Sequence, residues 1–149
     1  MTGALNALRT GAVELLREYG LQAVTAMEWT PAARWTQPVA AVSVSRVVCA
    51  PGGVQHYLGT RREEDGTERE LYGRGVDITL ALDLYAPANT GESACQEALG
   101  VMAEALACRG VGGLPALEVE SGRVEFLTQE RMYRLPVTCR CQGWLVAVA

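Results

Sequence analysis

The chain has 149 residues, 49% hydrophobic and 20% charged, a balance that excludes wholesale disorder and suffices for one buried core without disulfides or metals. Its net charge of −4 argues against a dedicated nucleic-acid binder, which would carry a basic face to neutralise phosphates. All 13 basic residues are arginine and none is lysine, which reflects either the composition of the source genome or arginine's rigid fork used in ion pairs between subunits.

In chain order, Leu5, Leu8, Ala12, Leu15, Leu16 and Tyr19 recur at helical spacing. They predict a helix from about Leu5 to Tyr19, capped by a left-handed Gly20, with Arg9, Glu14, Arg17 and Glu18 facing water. A short strand is expected over Gln22 to Trp29, ended by Thr30-Pro31-Ala32-Ala33. A longer strand runs from Pro38 to about Ala50, with Val42, Val44 and Val48 on one face and Ser43 and Ser45 on the other. Pro51-Gly52-Gly53 should close it with a turn. Val54 to Arg62 and Glu68 to Leu84 then flank Asp65-Gly66, whose glycine tolerates the positive φ of a tight hairpin turn. Within the second of these, Val76, Ile78, Leu80, Leu82 and Leu84 alternate with Asp77, Thr79, Ala81, Asp83 and Tyr85, the pattern of a half-buried strand.

After Ala86-Pro87-Ala88-Asn89-Thr90-Gly91 a second helix is expected near Ser93, capped by that serine with Gln96, or earlier with Asn89 and Glu92, and ending at Gly110. Cys95, Ala98, Leu99, Met102 and Leu106 make its buried stripe; Glu97 and Glu104 point outward. Strands near Leu117–Glu120 and Arg123–Thr128, separated by Ser121-Gly122, suggest another hairpin. The last strand shows Tyr133, Leu135, Val137, Cys139 and Cys141 in one phase and Trp144, Val146 and Val148 in the other. Gly143, at the change of phase, suggests a β-bulge, and Pro136 an edge or bulge. With two helices and about seven strands, the expectation is a single α+β domain over residues 1–149: a mixed, mainly antiparallel sheet packed by both helices, with a long protruding β-hairpin.

Candidate chemistry is sparse. Ser93 lacks the second glycine of a nucleophile elbow and sits at a helix start. His56 is the sole histidine, with no serine or cysteine near it in sequence. Asp77 and Asp83 share a strand face but stand about 20 Å apart, too far for an acid–base pair. Gly73-Arg74-Gly75 and Gly110-Val111-Gly112-Gly113 match neither a phosphate loop nor a dinucleotide fingerprint. Trp29, Trp35 and Trp144 are too scattered to define a base-stacking platform. The five cysteines, Cys49, Cys95, Cys108, Cys139 and Cys141, lack zinc-site spacing, and they read as core residues of a reduced, cytosolic protein. Met1-Thr2-Gly3-Ala4-Leu5-Asn6 lacks the basic start and apolar core of a signal peptide, so none is expected, and no apolar run reaches the about 18 residues of a membrane span. The expectation is a protein that is not an enzyme, with no catalytic, metal or cofactor site.

The run Arg61-Arg62-Glu63-Glu64-Asp65-Gly66-Thr67-Glu68-Arg69-Glu70 contains no apolar residue. It reads as a solvated hairpin tip, or as an arm docked on a neighbouring subunit through arginine–carboxylate pairs. The candidate subunit-interface residues are therefore Arg61, Arg62, Glu63, Glu64, Asp65, Glu68, Arg69 and Glu70.

Several stretches together resemble the tail terminator (tail completion) proteins of long-tailed bacteriophages. These are the amphipathic start Leu5–Tyr19, the strand entry Pro38-Val39-Ala40-Ala41-Val42, and Glu70-Leu71-Tyr72-Gly73 leading into Asp77-Ile78-Thr79-Leu80-Ala81-Leu82-Asp83-Leu84-Tyr85-Ala86-Pro87; the helix from Gly91 to Leu106 follows. The resemblance implies a homo-oligomeric, hexameric ring in the tail-neck region of a virion, assembled in the host cytoplasm. Such a ring caps the head-proximal end of the tail tube, stops its polymerisation and meets the head–tail connector, while DNA passes through the pore without specific binding. It carries over no catalytic residue. Two other readings stay open: a non-catalytic ligand-binding or adaptor domain, and another neck or head–tail joining protein.

Overall fold

A computed structural model describes residues 2–26, 35–49 and 56–148, with side chains described within 5–26, 35–49, 60–68 and 75–143. The helix α1 (Thr2–Glu18) buries Leu8, Ala12, Leu15 and Leu16 on one stripe. It ends as its glycine requires: Gly20 takes φ +85°, its N–H donates to Arg17 O (3.0 Å), and the Leu21 N–H donates to Leu16 O (3.0 Å). Two orphan carbonyls are thereby satisfied while Leu21 turns into the core. Arg17 Nε donates to Ala23 O (3.0 Å) and braces β1 (Gln22–Thr25). The expected continuation of this strand to Trp29 and the turn at Thr30–Ala33 lie outside the described residues.

The sheet is organised around β4 (Glu68–Pro87), a strand of 20 residues. On one side it pairs antiparallel with β2 (Val39–Cys49), and farther out with β3 (His56–Arg62). On the other side it pairs with β8 (Val137–Val148) and β7 (Met132–Leu135). The strand β1 runs parallel to β2 at one edge; β5 (Ala116–Ser121) and β6 (Glu125–Leu127) line β8 and β7 at the other. Among the described residues this is one mixed, mostly antiparallel sheet of eight strands. With both helices packed on one of its faces, the fold is α+β.

The alternation in β4 sets the two faces. Val76, Ile78, Leu80, Leu82 and Leu84 are buried against α1 and α2, while Asp77, Thr79, Ala81, Asp83 and Tyr85 are half-buried on the opposite face. The hairpin expected around Asp65-Gly66 is present, with Gly66 at φ +85°. Beyond Val76, β4 continues outward for roughly 26 Å before its turn, at about 3.3 Å per residue.

Several expectations need correction. Val48 does not share the face of Val42 and Val44, because the register against β4 shifts between Val44 and Arg46. The extra residue, Ser45, donates its hydroxyl to Thr79 O (3.1 Å), the phase flips, and Val48 is left 40% exposed opposite Asp77. The turn Pro51-Gly52-Gly53 lies outside the described residues, and the strands before and after it do not form the hairpin it would close. Cys49 stands opposite Val76 and His56 opposite Gly73 on the same side of β4, so β3 resumes the direction of β2.

The helix α2 (Glu92–Arg109) starts before Ser93, which falls in its first turn. A single 3₁₀ turn (Ala88–Thr90) is tied by Thr90 Oγ1 donating to Pro87 O (2.7 Å). Gly91, at φ +81°, then opens the helix without a side-chain cap. The expected caps at Ser93 and Asn89 are therefore absent, and Glu92 in the first turn complements the helix dipole instead. The buried stripe is Cys95, Ala98, Met102, Ala105 and Leu106, with Leu99 half-buried beside it.

The hairpin expected between the strands flanking Ser121-Gly122 does not form: β5 pairs with β8, and β6 with β7. Pro136 explains the step. It has no N–H to give, it separates β7 from β8, and its carbonyl accepts from the Gly122 N–H (2.9 Å) as the neighbouring column passes it. The proline therefore lies inside the sheet at a break shared by two columns, rather than at an edge. Gly143 is no bulge either, since β8 pairs with β4 in unbroken register through Val76 opposite Gly143. A Cβ on Gly143 would meet Leu114 Cδ1 at 3.3 Å, so the glycine makes room for a packed leucine.

Candidate interaction surface

The hairpin tip brings together the residues expected to form an interface. Its turn is closed by Glu63 N–H to Thr67 O (2.8 Å) and Gly66 N–H to Glu63 O (3.0 Å), and the Thr67 N–H donates to Asp65 Oδ1 (2.8 Å). That last hydrogen bond holds the Asp65 carboxyl below its ordinary value. In the ladder Arg62 stands opposite Glu68, a favourable pair, whereas Arg61 stands opposite Arg69. The Arg61 guanidinium turns to Glu63 Oε1 (2.9 Å). Arg61, Arg62, Glu64, Asp65 and Glu68 are exposed and Glu63 is half-buried. Arg69 and Glu70 pair through their backbones with Arg61 and Thr60, and their side chains lie outside the described residues.

The sheet face opposite the helices carries ion pairs across strands. Arg134 donates to Asp83 Oδ2 (3.0 Å) and lies 3.8 Å from Glu125, and Arg140 lies 3.6 Å from Glu118. The hydrogen bond that Arg134 donates to Asp83 pushes its guanidinium further up. Asp83, weighed above as a candidate acid, is thus a salt-bridge partner. Pairs this exposed contribute about 0–1 kcal/mol each and mainly fix orientation.

The other candidates resolve into structural roles where they are described. Gly110-Val111-Gly112-Gly113 forms a tight turn, with Val111 and Leu114 exchanging both backbone hydrogen bonds (2.8 and 2.9 Å). Gly73 and Gly75 are paired within β4. The side chains of His56 and Trp144, and all of Trp29, lie outside the described residues. Among the described residues no group of three or more His, Cys, Asp or Glu side chains is placed to hold a metal ion, and no helix is long and apolar enough to cross a membrane.

The cysteines divide. Cys95, Cys139 and Cys141 are buried, as expected for core residues, with Cys139 and Cys141 Sγ atoms 3.9 Å apart. Cys49 and Cys108 are exposed, contrary to that expectation, because β2 past its bulge and the last turn of α2 leave the core. Burial, then the Glu92 charge, pushes the Cys95 thiol up; the hydrogen bond with Cys141, then burial, does so for Cys139. Iodoacetamide labelling of the native protein followed by mass spectrometry should therefore modify Cys49 and Cys108 and spare the other three until denaturant is added.

The sequence matches no protein-family model and no curated protein. Among solved structures, it is similar to a chain described as "Virion of native gene transfer agent (GTA) particle". That similarity covers 93% of this chain and 96% of the other, at 12% identity and a TM-score of 0.40. So loose a likeness defines no family.

Proposed function

We propose that this protein is a structural subunit of a phage-like virion, acting as a tail terminator. In this reading copies of the chain close into a hexameric ring on the head-proximal end of a tail tube, stop tube growth and present a surface to the head–tail connector. The observation that carries it is the hairpin arm. The strand that is the spine of the core runs on past it, accompanied by β8 as far as Leu71, and ends in a charged two-stranded tip, an element that is barely stable alone and gains from a partner. The matching stretches from Leu5 to Leu106 point the same way. The role is steric and interfacial, with no catalytic step, and DNA would pass an assembly whose subunits each carry a net charge of −4.

The test is co-expression with the tail-tube and connector proteins of its own particle, followed by negative-stain imaging. Tubes of limited length, each bearing a ring at one end, are expected, with unbounded tubes when the chain is omitted. Tubes that grow identically with and without it, and carry no added density, would sink the reading.

A further inference from the structure

Among the described residues the sheet has two open sides, and they are unlike. On one side β1 has a ladder with β2 alone and β3 with β4 alone; on the other, β5 and β6 run end to end with no described strand outside them. Such edges present unused N–H and C=O groups and are natural templates for another chain. The β3 edge carries exposed Arg61 and Arg62. The opposite edge carries exposed Glu118, Glu120 and Glu125 against a single Arg123, together with Leu117 and Phe126 at 47% and 49% exposure. The strand residues of β3 and of β5–β6 are therefore opposite in charge, with Glu63, Glu64, Asp65 and Glu68 flanking the two arginines at the turn.

From this we infer that the β3 edge of one copy pairs with the β5–β6 edge of the next, a head-to-tail contact between copies of this chain. The inference rests on the ring reading above and specifies which surfaces close it. Strand directions agree: β4 runs against both β3 and β8, and β8 against β5, so copies laid side by side in one orientation bring β3 antiparallel to β5. The two edges lie at different heights. β3 is level with residues 68–73 of β4, whereas β5 is level, through β8, with residues near 80. Neighbours are thus staggered by about 30 Å along the strands, which inclines the strands to the ring axis, as closure of a sheet requires. The existing partners of these charges do not block the contact. Glu118 and Glu125 sit 3.6 and 3.8 Å from their arginines, and Arg61 remains 54% exposed beside Glu63, so exchange into a contact between copies costs little. Because the two patches differ, the contact is heterologous and produces a ring when its rotation closes.

The test uses two charge-reversed chains, one with Glu118→Arg and Glu120→Arg, the other with Arg61→Glu and Arg62→Glu. All four side chains are exposed, so the thermal midpoint of each variant should stay near that of the unchanged chain. By light scattering the unchanged chain should form an oligomer. Each variant alone should fall to the mass of one 16.0 kDa chain, because its two edges then carry the same sign. An equimolar mixture should recover the oligomer, since every contact in an alternating ring is again between opposite charges. A monomeric unchanged chain, variants that assemble normally, or a mixture that stays monomeric overturns the proposal. Tube capping is read separately: normal capping by both variants removes the edge contact and leaves the terminator reading standing, while an oligomer built on these edges that ignores tubes removes only the latter.

Discussion

Replacing Gly110 with alanine should destabilise the protein by about 2–5 kcal/mol, the sum of backbone strain and forced displacement. Gly110 ends α2 at φ +66° and ψ −169°, a region essentially closed to residues with a Cβ, while its N–H donates to Leu106 O (2.9 Å). The new Cβ would press on the carbonyl oxygen of Leu114 and lie 3.2 Å from Leu114 C and 3.4 Å from Pro115 Cα. All three are backbone atoms, so no side chain can swing aside. The displaced turn is itself anchored, because Val111 is fully buried and Gly112 lies against Leu8 of α1. Strain at the end of α2 therefore reaches α1. In a domain of this size the thermal midpoint should drop by roughly 10 °C, at about 2–4 °C per kcal/mol. Gly113 supplies the control: it also has positive φ (+83°), but a Cβ there meets nothing within 4 Å, so Gly113→Ala should cost only about 1–2 kcal/mol. Equal losses in circular-dichroism melts would show that the close approach at Gly110 does not matter.

That glycine illustrates which features were legible in the sequence. Gly20 and Gly110 were readable as helix ends, because helical spacing stops beside them and a left-handed residue is needed there. The β4 alternation and the Asp65-Gly66 turn were readable for the same reason, since local stereochemistry and a two-residue period state their own geometry. Where a residue answers to something distant, local reading failed. Gly143 resembled a bulge because nothing nearby in sequence reveals Leu114 packing over it. Ser121-Gly122 looked like a hairpin turn, yet strand partners are chosen by the whole sheet, and β5 had β8 available. The Ser45 bulge carries neither glycine nor proline, so the flip that exposes Val48 had no marker. The hairpin tip was legible as a polar turn, but its possible partner was not, because a contact between copies leaves no periodicity in one chain. The charge difference between the edges becomes visible only once β3 and β5 are known to be the outer strands.

Leu82→Ala should cost about 2–5 kcal/mol, as for a fully buried leucine whose cavity can only partly collapse. Leu82 is 0% exposed in the core half of β4, directly opposite the equally buried Val42. β4 is held there by β2 on one side and, on the other, by β8 up to Ala81 and β7 from Leu84, and it is covered by α2, so its backbone cannot sink far into the void. Leu82→Met, which conserves volume, should cost less than about 1.5 kcal/mol, and comparable urea midpoints for the two variants would contradict the packing argument. Paired with the edge reversals, this substitution separates core from surface. Leu82 contributes to neither unpaired edge, so below its melting temperature the Leu82→Ala chain should keep the oligomeric mass of the unchanged protein, whereas the reversed chains should keep the melting temperature and lose the mass. Loss of both properties in either class of variant would mean that folding and assembly are one transition, with no core stable enough to present its edges beforehand.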